Sequence, residues 1–194
     1  MGNEWDDYAE GWDSDPSARA YADAAFDSLV ELLESVDSAL EGASVLDFGC
    51  GTGLLTEKMV TGGATVFAVD TSPAMLDVVR AKVVERGWAT VRLSDTVPGD
   101  EKTFDLVVCS SVCAFVDDYP ATVAQLVTCL RPGGAFVQWD WERTGDDEFG
   151  LSRQEISAVL ADAGLDGITV RPAFSVDVEG HTMSPLVGSG LRPV

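Results

Sequence analysis

Val45-Leu46-Asp47-Phe48-Gly49-Cys50-Gly51-Thr52-Gly53 reads as a short buried strand that breaks into a glycine turn and enters a helix at Leu54. Glycine has no Cβ, so backbone at such a turn packs against a ligand without clash. The helix N-terminus that follows presents free N–H groups. Strand, turn and helix together make a nucleotide-type cradle, and the spacing of the glycines decides which kind. A dinucleotide fingerprint needs glycine at its first, third and sixth positions. Counting from Gly49, the third position is Gly51 but the sixth is Leu54. A P-loop needs Lys followed by Ser or Thr after the glycines, and that pair is missing. Taken alone, the loop is also compatible with a tight strand-to-helix turn that binds nothing.

The next segment favours a ligand. Residues 65–69 read as a second buried strand closed by Asp70, followed by Thr71-Ser72-Pro73 and a helical run over 73–86. An acid closing the second strand of a βαβ unit lies beside the first loop, where it can accept hydrogen bonds from ribose hydroxyls. Asp70 also suits a helix N-cap. Ser72 is the better cap, because Pro73 fits the first helical position.

With these two segments in place, the chain resembles a class I S-adenosylmethionine-dependent methyltransferase of the broad small-molecule group that includes ubiquinone- and menaquinone-biosynthesis-type enzymes. Four stretches carry the resemblance in family order: VLDFGCGTG at 45–53, VFAVDTSPAML at 66–76, SDTVPGDEKTFDLVVCSSV at 94–112 and LRPGGAFVQW at 130–139. A weaker likeness runs on through GLSRQEISAVLADAGL at 150–165.

A chain of 194 residues is long enough for one domain with a sizeable core, and its 46% hydrophobic content is ordinary. No apolar run approaches membrane-spanning length. The acidic N-terminus lacks a signal pattern, so a cytoplasmic protein is expected. The net charge is −21, from 33 acids against 12 bases, and only Lys58, Lys82 and Lys102 are lysines. Such a field repels phosphate backbones and anionic membranes, which excludes nucleic acid and membrane surfaces as expected partners. The acids are scattered over helix faces, as in Asp23, Asp27, Glu31 and Glu34, which looks like proteins of salt-loving archaea. Cys50, Cys109, Cys113 and Cys129 form no CxxC pair and read as buried free thiols, with no metal site.

Strands are expected near 44–48, 65–69, 89–93, 104–110, 134–140, 167–177 and 181–190, and helices near 53–60, 73–86, 119–130 and 152–163. Such alternation implies an α/β fold, a Rossmann-like doubly wound, mostly parallel seven-stranded sheet. Val178-Glu179-Gly180 is a short link that argues for a final hairpin. The resemblance implies that this hairpin places an antiparallel seventh strand between the fifth and sixth. The stretch 144–150 is the most loop-like interior segment. A helix from Pro16 to about Leu40 would carry Ala22, Phe26, Leu29, Leu33 and Val36 at helical spacing. The expected organisation is one methyltransferase domain over 1–194, with 1–40 a helical lid or cap and 41–194 the Rossmann-like core.

The resemblance also assigns roles. Gly49, Gly51 and Gly53 would let backbone approach the methyl donor, with Cys50, Thr71 and Thr96 among the cofactor-binding positions. Asp47 would bind the donor's amino group, or else bond the turn's own backbone N–H groups. Asp70 would hold the ribose hydroxyls, and Met75 would pack on the adenine or simply fill the core. Asp95 would accept from the adenine amine, although Ser94 stands where the family usually has Gly. Ser110, at the end of the fourth strand, would contact the donor. Many relatives carry a His-His or similar pair near positions 114 and 115, and here those positions are Ala114 and Phe115. Tyr8 and Trp12 suit a lid, and Trp139 and Trp141 the acceptor side. His181, the only histidine, is a weak candidate base or a plain hairpin residue.

The reading is methyl transfer from S-adenosylmethionine to a small molecule whose identity and accepting atom stay open, as does the oligomeric state. The alternatives are a non-catalytic S-adenosylmethionine-binding partner subunit and, more weakly, an NAD-type enzyme. The charge makes one direct prediction. At low salt the self-repulsion of the acids is unscreened. The thermal midpoint, followed by circular dichroism, is expected to rise between dilute buffer and molar salt, and a midpoint indifferent to salt rejects the salt-adapted reading.

Overall fold

Val45, Leu46, Val66 and Ala68 are wholly buried side by side. They are neighbours because β1 (Ser44–Phe48) and β2 (Thr65–Val69) run parallel in register, Val45 opposite Val66 and Phe48 opposite Val69. Near-continuous burial along both strands is the pattern of a parallel sheet covered on both faces. The computed structural model describes residues 5–99, 103–143, 149–178 and 181–194, without the side chains of 178, 181 and 183. The chain packs as two compact units, divided after Val97.

In the first unit, β3 (Val91–Ser94) joins β2 in parallel, giving the order β3-β2-β1. The connections are α2 (Leu54–Thr61) and α3 (Pro73–Arg86), preceded by α1 (Pro16–Ser35). Leu29 and Leu33 of α1, Met59 of α2 and Val79 of α3 are buried with the strand residues. Each such side chain contributes roughly 1.5–3 kcal/mol. Asp15 caps α1 through Ser17 N, and Pro16 occupies the first turn.

The second unit holds β4 (Phe104–Ser110) parallel to β5 (Leu130–Trp141), joined through α4 (Tyr119–Cys129). After α5 (Arg153–Asp162) come β6 (Asp166–Pro172), the short β7 (Val176–Val178) and β8 (His181–Met183), and β9 (Pro185–Leu191). β9 lies antiparallel between β5 and β6. Arg192 donates to the carbonyls of Val127 and Thr128 at 3.0 and 2.9 Å, closing the end of α4 where cations are favoured. Seven strands, mostly parallel and flanked by helices, make the expected Rossmann-like doubly wound sheet, with the antiparallel strand where the resemblance puts it.

Three elements differ from the sequence reading. α1 stops at Ser35, not near Leu40, because Asp37 turns left-handed (φ 52°) and Ser38 N bonds back to Leu33 O at 2.9 Å. Asp tolerates that conformation through its short polar side chain. The two long final strands are each broken, at 173–175 and at Ser184. β7 and β8 thereby form a separate two-stranded ribbon, Val178 opposite His181. Of the link at 178–180, Glu179 and Gly180 lie outside the described residues, as do 144–148 of the expected loop and Lys102. Among the described residues no helix is long and apolar enough to cross a membrane.

Gly188 in β9 shows how closely the second unit is packed. A Cβ there would fall 2.5 Å from Cγ2 of Ile156, itself wholly buried on α5. Gly188→Ala is expected to lower the stability of folding by about 1–3 kcal/mol, measured by urea denaturation. An unchanged midpoint would show that α5 shifts freely.

Candidate functional site

The glycine turn is fastened to the end of β2. Gly49 N and Cys50 N both donate to Val69 O, at 2.8 and 3.0 Å. Gly51 N donates to Asp70 Oδ2 at 2.8 Å, and Asp70 Oδ1 accepts from Ser72 N at 2.9 Å. Gly49, Gly51 and Gly53 all have positive φ, which side chains rarely tolerate. A Cβ on Gly51 would meet open space, whereas one on Gly53 would lie 3.1 Å from Val79 of α3. The first has open space beside it and the second lets α2 start against α3. Ser72 Oγ accepts from Met75 N at 3.1 Å and so caps α3, which leaves Asp70 free of that duty. A carboxylate offers about four lone-pair sites, so two remain on Asp70 beyond its backbone bonds.

Asp47 sits beneath the turn and is almost wholly buried. Its Oδ2 accepts from Thr56 Oγ1 at 2.5 Å, so the partner is a side chain of α2 and not the turn's own backbone. Among the described residues its Oδ1 has no hydrogen-bond partner. Burial raises its pKa to about 7, the Thr56 bond opposes the rise and the Asp70 charge adds to it. An unpartnered buried carboxyl oxygen is costly. The Cys50 thiol is pushed well up by burial and by Asp47 and Asp70, which makes it inert.

The N-terminal segment reaches this turn through acids, a contact absent from the sequence reading. Asp13 Oδ1 accepts from Thr52 Oγ1 at 2.7 Å, and its Oδ2 pairs with Lys82 Nζ at 2.6 Å. Lys82, itself buried, donates to Thr52 O at 2.9 Å. Asp6 Oδ1 accepts from Ser72 Oγ at 2.6 Å. Tyr8 and Trp12 pack edge to face at 6.5 Å on the same segment, Tyr8 exposed and Trp12 half-buried. One signal for Lys82 was available. It falls on the buried stripe of α3 with Met75, Leu76 and Val79, where a lysine needs a partner. Nothing in the sequence pointed Asp6 or Asp13 toward the glycine turn or the start of α3. Met75 is buried in α3, while Thr71, Asp95 and Thr96 are exposed beside the ends of β2 and β3. Ser94 Oγ accepts from Thr96 N at 3.1 Å and shapes that bend in place of glycine.

In the second unit Ser110 is half-buried at the end of β4, and Ser111 follows with φ 54°. Ser111 N donates to Trp139 O at 2.7 Å. Trp139 is wholly buried and Trp141 half-buried. Asp140, between them, accepts from Ala114 N at 3.1 Å and from Gln138 Nε2 at 2.9 Å, and Tyr119 OH donates to Gln138 Oε1 at 2.7 Å. Burial raises the Asp140 pKa to about 7, opposed by these bonds. This buried chain, unforeseen from the sequence, fixes the loop after β4. His181 stands in the β7–β8 ribbon, outside the main sheet.

Known proteins resemble this chain in sequence and in fold. Residues 46–138 match a family model described as a methyltransferase domain. The ubiquinone biosynthesis O-methyltransferase of Xanthomonas euvesicatoria is 37% identical over 118 residues, 58% of this chain and 49% of that protein. The chain thus spans about half the length of the curated relatives it matches. Among solved structures, the complex between the Haloferax volcanii Trm112 methyltransferase activator and a candidate methyltransferase gives a TM-score of 0.79 at 19% identity, with 100% of both chains covered. Magnesium protoporphyrin IX methyltransferase from Synechocystis PCC 6803, with bound S-adenosylmethionine, gives 0.68 at 19% identity, over 91% of this chain and 82% of that one. The fold is that of the Rossmann-like methyltransferases, and residues 46–138 match the sequence of the methyltransferase-domain family.

Proposed function

We propose that this chain transfers a methyl group from S-adenosylmethionine to a small-molecule acceptor. One observation carries the reading: the unpartnered, buried Oδ1 of Asp47 beneath a glycine turn whose Gly51 faces open space. When bound, S-adenosylmethionine supplies a methyl group on a positively charged sulfur. The residues of the chain bind and orient. Asp47 accepts from the donor's α-ammonium. The free lone pairs of Asp70 accept from the ribose hydroxyls. Gly49, Gly51 and Gly53 keep side chains out of the donor's path, with Cys50, Thr71, Met75, Asp95, Thr96 and Ser110 as further contacts. Tyr8 and Trp12 cover the donor and exclude water, Trp139 and Trp141 belong to the acceptor side, and His181 stays a weak candidate base. Positioning of this kind supplies much of the acceleration that such a reaction needs.

The same reading extends to setting. The charge of −21 with exposed acids supports work in concentrated salt, as in a halophilic archaeon. Four free cysteines suit the reducing cytoplasm.

The Asp47 role has a pH signature. Its pKa is raised to about 7 before the cation arrives. A cation favours the ionised carboxylate and lowers that pKa. Binding below neutrality therefore releases a proton, and affinity rises with pH until about 7 and then levels off. Calorimetry of S-adenosylmethionine in two buffers of different ionisation enthalpy, at pH 6 and 8, is expected to show proton release at pH 6 only. Asp47→Asn is expected to bind about 10- to 100-fold more weakly, as for loss of a charged hydrogen bond, and to lose the pH dependence. Absence of binding at the salt where the chain folds overturns the reading. Binding without transfer of labelled methyl to extracts of the source cells would favour a donor-binding partner subunit.

A further inference from the structure

Lys82 is buried on α3, yet its charge is spent outside that helix. Its Nζ donates to the main-chain carbonyl of Thr52 in the glycine turn at 2.9 Å and pairs with Asp13 Oδ2 at 2.6 Å. Thr52 Oγ1 closes the triangle by donating to Asp13 Oδ1 at 2.7 Å. Asp13 is itself held in place, because Arg19 Nε of α1 donates to its main-chain carbonyl. The glycine turn, α3 and the N-terminal segment thus meet in one set of polar contacts, all within the first unit.

The triangle falls where the turn is softest. Thr52 is buried between Gly51, with φ 53°, and Gly53, with φ 82°. Glycine permits such conformations but adds no stiffness, since it moves through φ and ψ more freely than any other residue. The start of the turn is fastened to β2 by the Val69 carbonyl and Asp70. Residue 52 is fastened by α3 and the N-terminal segment instead.

The two fastenings differ in kind. A buried ammonium is costly when its charge is unbalanced, and the neutral carbonyl of Thr52 does not balance it. Asp13 does. Without Asp13 the flexible lysine stem lets the ammonium turn toward water, and the hold on Thr52 goes with it. Resting on the methyl-transfer reading, we propose that Lys82 and Asp13 are positioning residues for the donor. Their pair holds the glycine turn in its donor-binding shape and makes donor affinity depend on docking of the N-terminal segment. By linkage, bound donor tightens the docked segment by the same factor.

The test uses the full chain in the salt where it folds, with S-adenosylhomocysteine as the probe. Calorimetry reads its affinity, hydrogen–deuterium exchange over residues 5–15 reads docking, and urea denaturation confirms that each variant is folded. In wild type the probe is expected to slow exchange over 5–15. Lys82→Met, which keeps the apolar stem, and Asp13→Asn are each expected to weaken the probe about 5- to 20-fold, an ordinary coupling between two sites. Both are expected to lose the slowing of exchange. The double variant is expected to bind no more weakly than Lys82→Met, because one clasp is broken only once. If Lys82→Met does not fold, Asp13→Asn, on the more exposed side of the pair, carries the test by affinity and exchange. A lysine that only supports α3 would lower the urea midpoint and leave the affinity of the folded variant unchanged, and that result overturns the proposal. So does a double variant whose losses add, or a wild type whose exchange over 5–15 ignores the probe. If S-adenosylhomocysteine does not bind wild type, the methyl-transfer reading falls and the proposal with it. If it binds wild type and both single variants alike, only the positioning role falls.

Discussion

The hydrogen bond from Gly51 N to the carboxylate of Asp70 is the constraint on which the candidate site depends. It joins the middle of the glycine turn to the residue closing the neighbouring strand. The Val69 carbonyl, holding Gly49 N and Cys50 N, fixes the same turn one residue earlier. With these three bonds made, the turn has no freedom to collapse into the space in front of Gly51. The parallel register of β1 and β2 sets the distance between the partners, so the hydrophobic burial that aligns the strands also places the polar groups. Packing and recognition are one construction here.

The acids divide into two populations that obey different physics. Most lie on the surface, where their mutual repulsion is screened by salt and individual pairs contribute little. A few are placed by structure. Asp47 and Asp140 are buried and drawn toward neutrality. Asp70 is tied to backbone, and Asp13 neutralises the buried Lys82. Both carboxylates that reach from the N-terminal segment, Asp6 and Asp13, meet hydroxyls of the turn or of the α3 cap. The segment is attached to the rest of the first unit by specific polar contacts.

The fold was legible because its signals are local. Continuous apolar runs, the Ser72-Pro73 start of α3 and the glycine turn are each readable within a few residues. The residues proposed to hold the donor were singled out for the same reason, since Asp47, the glycines and Asp70 lie at fixed offsets along the chain. What escaped was long-range. The pairing of Asp13 with Lys82 and Thr52 spans most of the first unit. The Asp140 contact with Ala114 depends on the register of β4 with β5. The early stop of α1 rests on a left-handed Asp37 that helical periodicity does not reveal. The breaks at 173–175 and Ser184 are bordered by Pro172 and Pro185, a local signal for interrupted strands that the long-strand reading passed over.

The proposed donor site would face a difficulty in a chain of this charge. In concentrated salt the general attraction of an acidic surface for a cationic donor is largely screened, because the Debye length falls to about 3 Å at 1 M. Recognition must then come from contacts made at hydrogen-bond distance and away from solvent. Asp47 meets that demand, being almost wholly buried with one oxygen unspent. Asp70 meets it with lone pairs oriented by two backbone N–H groups. The acids that keep the chain soluble and the acids proposed to hold the donor therefore answer to different variables. Salt tunes the first, while burial and pH tune the second.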